Sequence, residues 1–99
     1  GYTPRIAALE DAFGSRLEAA DPSFQRDKGY DRDAPGEADL SCAANFIGEQ
    51  HDCLALTLEM PFKDDANHPD RRRGWSPGRA SALGRALLEA TLLTLPELR

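Results

Sequence analysis

The sequence predicts an α/β fold with elements in the order helix, helix, strand, helix. Residues 53–58, Cys-Leu-Ala-Leu-Thr-Leu, are almost wholly apolar and do not alternate, the pattern of a strand covered on both faces. The segments on either side repeat apolar residues at helical spacing. The connections from helix to strand and back are short, as where helices cover a parallel or mixed sheet.

The first helix opens with Thr3 as cap and Pro4 in its first turn, where a missing N–H costs nothing. Ile6, Leu9, Phe13 and Leu17 form one stripe, and Asp21-Pro22 ends the helix because a residue before proline is pushed out of helical geometry. Residues 24–37 are polar, with Gly29, Pro35 and Gly36 as breaks, and read as a loop. The second helix is expected over 38–50, capped by Asp39, with Leu40, Ala43, Ala44 and Ile47 on one face. After the strand, 63–74 is a polar loop that includes the run Arg71-Arg72-Arg73. Ser76-Pro77 caps the last helix, whose stripe is Ala80, Leu83, Leu87 and Leu88 and whose end falls near Leu95-Pro96.

Composition narrows the function before any motif does. The 99 residues allow one small domain, and 40% hydrophobic with 29% charged residues describe a folded, soluble chain. A net charge of −5 argues against nucleic acid or an anionic membrane as partner. No apolar run nears the roughly 20 residues of a membrane span, and no signal peptide is visible. Cys42 and Cys53 are too few for a disulfide scaffold and read as buried thiols in a reducing cytoplasm. His51 lies near Cys53, but without C-x-x-C, H-E-x-x-H or a clustered third ligand the chain offers no metal site of its own.

One confident strand is a physical problem. Both its edges carry backbone groups, and buried orphans cost about 1–3 kcal/mol each. Residues 1–99 are therefore expected to be the C-terminal portion of a larger α/β domain, or else to complete a sheet between copies in a homo-oligomer. The strand run is followed by Glu59. A carboxylate there is rare unless paired, metal-bound or functional, and in open α/β sheets ligands bind at the carboxyl ends of strands. Desolvation would tune it toward proton transfer. A salt bridge to Lys63 or to one of Arg71–Arg73 is the alternative. Beside Asp64, Asp65 and Asp70, those arginines otherwise read as a solvated face, and Trp75 as a staple or core anchor.

The stretch Leu56-Thr57-Leu58-Glu59-Met60-Pro61-Phe62-Lys63-Asp64, with Pro69-Asp70 and Gly74-Trp75-Ser76-Pro77, resembles the C-terminal part of zinc metallocarboxypeptidases, in particular the bacterial branch related to cytosolic carboxypeptidases. The resemblance runs from Cys53 to about Leu88 and is looser upstream. It implies a mixed sheet sandwiched by helices, with the motif glutamate ending a later strand. It also implies that Glu59 is the catalytic base and acid of peptide hydrolysis: a zinc-bound water gives Glu59 a proton and attacks the carbonyl, and Glu59 protonates the leaving amine. Peptide or protein C-termini are the implied substrates, and zinc the implied cofactor.

The family's H-x-x-E pair and later histidine are not found here: His51 and His68 are not followed by glutamate at that spacing. The carboxylate-gripping arginine and asparagine-arginine motif are missing as well. These residues are expected in a preceding segment, so the chain alone should be inactive. Deglutamylating members carry an arginine in the helix before the glutamate strand, whereas residues 33–62 hold no Arg or Lys. Tyr30 stands upstream of Glu59, as does the mobile tyrosine of digestive members, though at a longer spacing; the alternative is a solvated loop residue. Two other functions stay open: amidohydrolysis of small N-acyl amino acids, as in succinylglutamate desuccinylase or aspartoacylase, and a non-catalytic interaction module.

Overall fold

The protein, represented by a computed structural model, is described over residues 3–26, 39–61, 63–65 and 68–98. Its helices are α1 (Pro4–Ala20), α2 (Ala43–His51) and α3 (Pro77–Thr94), and α3 runs into a 3-10 turn over Leu95–Glu97. Among the described residues there is no strand, so the expected α/β class is corrected to an all-helical arrangement.

The correction concerns residues 53–58. A strand exists only through hydrogen bonds to a neighbouring strand, and among the described residues none lies beside this segment. It follows α2 as chain without regular secondary structure. Leu54 and Ala55 are half-buried, whereas Leu56, Thr57, Leu58, Glu59 and Met60 are exposed. The apolar run predicts burial on both faces, and within the described residues it is only partly covered, at Cys53, Leu54 and Ala55.

α1 forms as its sequence dictates. The Thr3 hydroxyl accepts the Ile6 N–H at 3.2 Å, Pro4 occupies the first turn, and the Asp21 N–H closes the helix on the Leu17 carbonyl at 2.9 Å. α3 is capped in the same way, with Ser76 Oγ accepting the Arg79 N–H at 3.3 Å. α2 starts later than expected. The Asp39 carboxylate accepts the Ser41 N–H at 2.9 Å and its hydroxyl at 2.8 Å, which makes Asp39 a turn residue and leaves Cys42 as a cap without a side-chain bond. Leu40, just before α2, and Phe46 and Ile47 on it are exposed, and α2 has no buried residue.

The core lies between α1 and α3. Leu17 packs with Leu83, Ala86 and Ala90, and Phe13, Ala20, Phe24, Trp75 and Leu87 gather around them. The small side chains of Ala86 and Ala90 let α1 come close, so the buried stripe of α3 is Leu83, Ala86, Ala90 and Thr94. Leu88, expected in that stripe, points away and is 63% exposed. Arg16 fastens the far ends of the pair: it donates to both Glu97 carboxylate oxygens at 2.7 and 3.0 Å and to Thr94 Oγ1 at 3.0 Å. Thr94 is fully buried and its hydroxyl donates a hydrogen bond to the Ala90 carbonyl at 2.7 Å.

The thiols also differ from expectation, since Cys42 is exposed and Cys53 half-buried, and neither is paired. Among the described residues no helix is long and apolar enough to cross a membrane. Leu17 is 1% exposed at the centre of the core, so Leu17→Ala should cost about 3 kcal/mol of unfolding free energy, measured by urea denaturation of the chain.

Candidate functional site

The motif residues from Glu59 to Ser76 fall into an exposed stretch carrying Glu59 and a tightly bonded loop that follows it. Glu59 lies between exposed Leu58 and Met60, and among the described residues no ion pair joins it to Lys63 or to Arg71–Arg73. The burial expected of Glu59 is therefore not found among the described residues, and neither is the scaffolding salt bridge to Lys63 or Arg71–Arg73.

The loop is organised around Asp64 and Arg79. Asp64 lies half-buried, its carboxylate accepting the Asp65 N–H at 2.8 Å and the Asp70 N–H through both oxygens at 3.1 and 3.0 Å. Arg79, from the first turn of α3, reaches the same carboxylate with Nη1 at 3.2 Å. It also donates from Nη1 to the Gly74 carbonyl at 3.2 Å and from Nη2 to the His68 carbonyl at 2.9 Å. Its guanidinium lies 4.9 Å from the centre of the Trp75 ring, within range of a cation–π contact. Asp65 is buried beside it, with Oδ2 3.7 Å from Arg79 Nη2 and 3.5 Å from His68 Nδ1.

Two backbone features close the loop. The Trp75 N–H donates to the Lys63 carbonyl at 2.7 Å, and Gly74 has φ +60. A Cβ at Gly74 would run into the Lys63 carbonyl oxygen, so both the dihedral and the space demand glycine. Asp70 holds the inner turn. The N–H groups of Arg72 and then Arg73, at 2.9 and 3.2 Å, hold its carboxyl below the usual range, with smaller help from the charges of Arg79 and Arg73. Arg71–Arg73 are exposed, in agreement with a solvated face. Trp75 packs on the core, as expected of an anchor.

This geometry surrounds the very residues that carry the sequence motif, and comparison with solved structures gives it a family context. A metallo-carboxypeptidase from Pseudomonas aeruginosa, in complex with (2-guanidinoethylmercapto)succinic acid, superimposes on 100% of the chain with TM-score 0.91 and 46% identity. The chain is similar throughout to part of a bacterial metallo-carboxypeptidase. A metallo-carboxypeptidase from Burkholderia cenocepacia matches 95% of the chain at TM-score 0.81 and 42% identity. An uncharacterised protein of Zymomonas mobilis is 43% identical over 76 residues, 77% of this chain and 20% of that protein. The chain spans about a quarter of the length of the carboxypeptidase structures, 26% and 25% respectively. No protein-family model matches it.

The carboxypeptidase likeness sorts the remaining candidates. His51 is exposed at the end of α2 and His68 is exposed in the loop. Among the described residues no group of 3 or more His, Cys, Asp or Glu could hold a metal, so these residues do not fit a catalytic zinc. Tyr30 lies outside the described residues. Sequence reasoning missed Arg79 and Asp64 as partners. The available signal was a capped helix with arginine in its first turn, following a loop rich in aspartate.

Two outcomes test this loop. Gly74→Ala should destabilise the chain by at least about 1–2 kcal/mol in urea denaturation, because alanine meets both the left-handed penalty and the Lys63 carbonyl. Asp70 has a lowered folded pKa, so its contribution is present above the unfolded value of about 4 and is lost as pH falls through the folded value. Urea midpoints measured from pH 6 to pH 3 should fall less steeply on the acid side in Asp70→Asn.

Proposed function

We propose that this chain is the part of a zinc-dependent carboxypeptidase that carries the acid–base glutamate, Glu59. The observation that carries the reading is the 46% identity over the whole chain to a metallo-carboxypeptidase, with the Leu58-Glu59-Met60-Pro61 string lying at the mouth of a bonded loop. In this reading Glu59 accepts a proton from the water that attacks a C-terminal peptide carbonyl. The same carboxyl then hands the proton to the amine as the peptide bond breaks, so proton and charge balance across the step.

The zinc ligands come from polypeptide outside these 99 residues, as do the groups that hold the substrate's carboxylate; the chain alone is inactive. The Pseudomonas relative's complex with a substituted succinic acid supports a carboxylate-bearing substrate. Exposed Leu88, Leu92, Leu93 and Leu95 on and beyond α3 support the further reading that the rest of such a domain packs over them, since large apolar side chains grouped on a surface mark a site of association. Unpaired Cys42 and Cys53 suit the reducing cytoplasm that this reading takes as the compartment.

The test is Glu59→Gln in the full-length gene product. Hydrolysis of C-terminal peptides should fall about 10²- to 10⁴-fold while zinc content by elemental analysis stays the same. Turnover close to that of the parent would sink the assignment. Faster hydrolysis of N-acyl amino acids than of peptides would move the substrate to the amidohydrolase class.

A further inference from the structure

The chain that leads into α3 carries cations and carboxylates side by side, yet they are not paired with each other. Asp64 is engaged by Arg79 and by the Asp65 and Asp70 N–H groups. Asp65 is buried beside Arg79 and His68. Asp70 accepts the Arg72 and Arg73 N–H groups, and the Arg73 charge acts on it least of all its neighbours. Lys63, Arg71, Arg72 and Arg73 are exposed, and among the described residues none of their side chains makes an ion pair or a hydrogen bond. The turn closed by Asp70 thus displays three consecutive guanidiniums with uncancelled charge, in a chain whose net charge is −5.

We infer that Arg71, Arg72 and Arg73, together with Lys63, form a docking surface for an acidic peptide segment, the part of a substrate that precedes the residue removed. The inference rests on the carboxypeptidase reading given above. Guanidiniums hold carboxylates in a two-pronged fork, and arginine clusters are a recurrent means of reading acidic stretches. The surface is joined to the segment that carries Glu59. The Trp75 N–H donates to the Lys63 carbonyl at 2.7 Å and Gly74 lies against the same carbonyl, so Arg73 borders Lys63. From Glu59 to Lys63 the backbone spans at most about 14 Å, whether or not the residues before Glu59 pair in a sheet. A carboxypeptidase substrate has one residue beyond the scissile bond, so a contact farther along falls on the residues before it. Burying three adjacent guanidiniums under the rest of the domain would be costly without a carboxylate for each, whereas covering the leucines of α3 is favourable. The arginines are therefore the part of this surface left to a partner. A long polyanion such as nucleic acid would overrun the patch onto the acidic remainder of the chain, and a short acidic segment would not.

The experiment compares the full-length protein with its triple variant Arg71→Gln, Arg72→Gln, Arg73→Gln on a pair of peptides that share a C-terminal residue. One carries a run of glutamates before that residue and the other carries glutamines. At low salt the parent should show a kcat/KM about 10-fold higher on the glutamate peptide, carried by KM. The variant should lose this preference, with kcat on the glutamine peptide within about twofold of the parent's. The preference should also shrink at roughly 0.5 M salt, because exposed charges are screened. A preference that survives in the variant, or its absence in the parent, would overturn the inference. Binding is read separately, by fluorescence anisotropy of the labelled glutamate peptide on full-length Glu59→Gln protein with and without the three arginines. Weaker binding without them supports the surface, and equal binding overturns it. An oligonucleotide bound as tightly as the peptide would overturn the choice of partner. A protein that hydrolyses neither peptide would sink the function proposed above, and the anisotropy result would still decide on the surface. Should the triple variant fail to fold, Arg72→Gln alone keeps the backbone bond to Asp70 and should weaken peptide binding about two- to fivefold.

Discussion

The close contact of α1 with α3 is the constraint on which the rest of the structure depends. Leu17 can sink between the helices only because α3 offers alanines at 86 and 90, and a larger side chain at either position would hold the helices apart. The contact is apolar at its centre and ionic at one end, where Arg16 holds Glu97 in a two-pronged bond. Arg16 is held above its ordinary pKa, and Glu97 below its own, chiefly by the hydrogen bond between them. Near it, Phe13, Thr91, Thr94 and Leu98 line a groove together with Leu54 and Leu56.

From that platform two different kinds of order extend. The loop that leads into α3 is held by polar bonds to one arginine and by a glycine in the left-handed region, with Trp75 packed on the core at its end. The stretch before it is nearly the reverse, rich in apolar side chains and poor in bonds. Exposed leucines and a methionine next to an exposed glutamate are an unusual surface, since large apolar side chains facing water gain nothing from folding. The same holds on the outer side of α3. Both observations agree with a chain that spans about a quarter of the carboxypeptidase structures it matches.

Helix caps and stripes were legible because they are local. Thr3-Pro4 and Ser76-Pro77 satisfy helix-end N–H groups with their own neighbours, and Ile6, Leu9 and Leu17 face the core whatever else the chain does. The start of α2 was misread because Asp39 can cap a helix or close a turn, and Ser41 tips it toward the turn. The run 53–58 misled for a deeper reason. Apolar content records what a segment is suited to pack against, while a strand also needs a second backbone at bonding distance, and that partner is not written in the run itself. Glu59 was conspicuous through its neighbours in the motif. Arg79 was not, because an arginine in a first helical turn is ordinary until the chain folds back to meet it.

The sequence by itself determined the positions of α1 and α3 and the likeness to metallo-carboxypeptidases, which depend on residue type and short spacing. Only the tertiary structure decided which side of α3 is buried, that Asp64 and Arg79 share one knot, and that residues 53–58 stand without a ladder. The physical reason is range. Caps, turns and helical stripes are satisfied within a few residues, whereas Arg79 meets His68 and Asp64, and Arg16 meets Glu97, only after the chain has closed on itself.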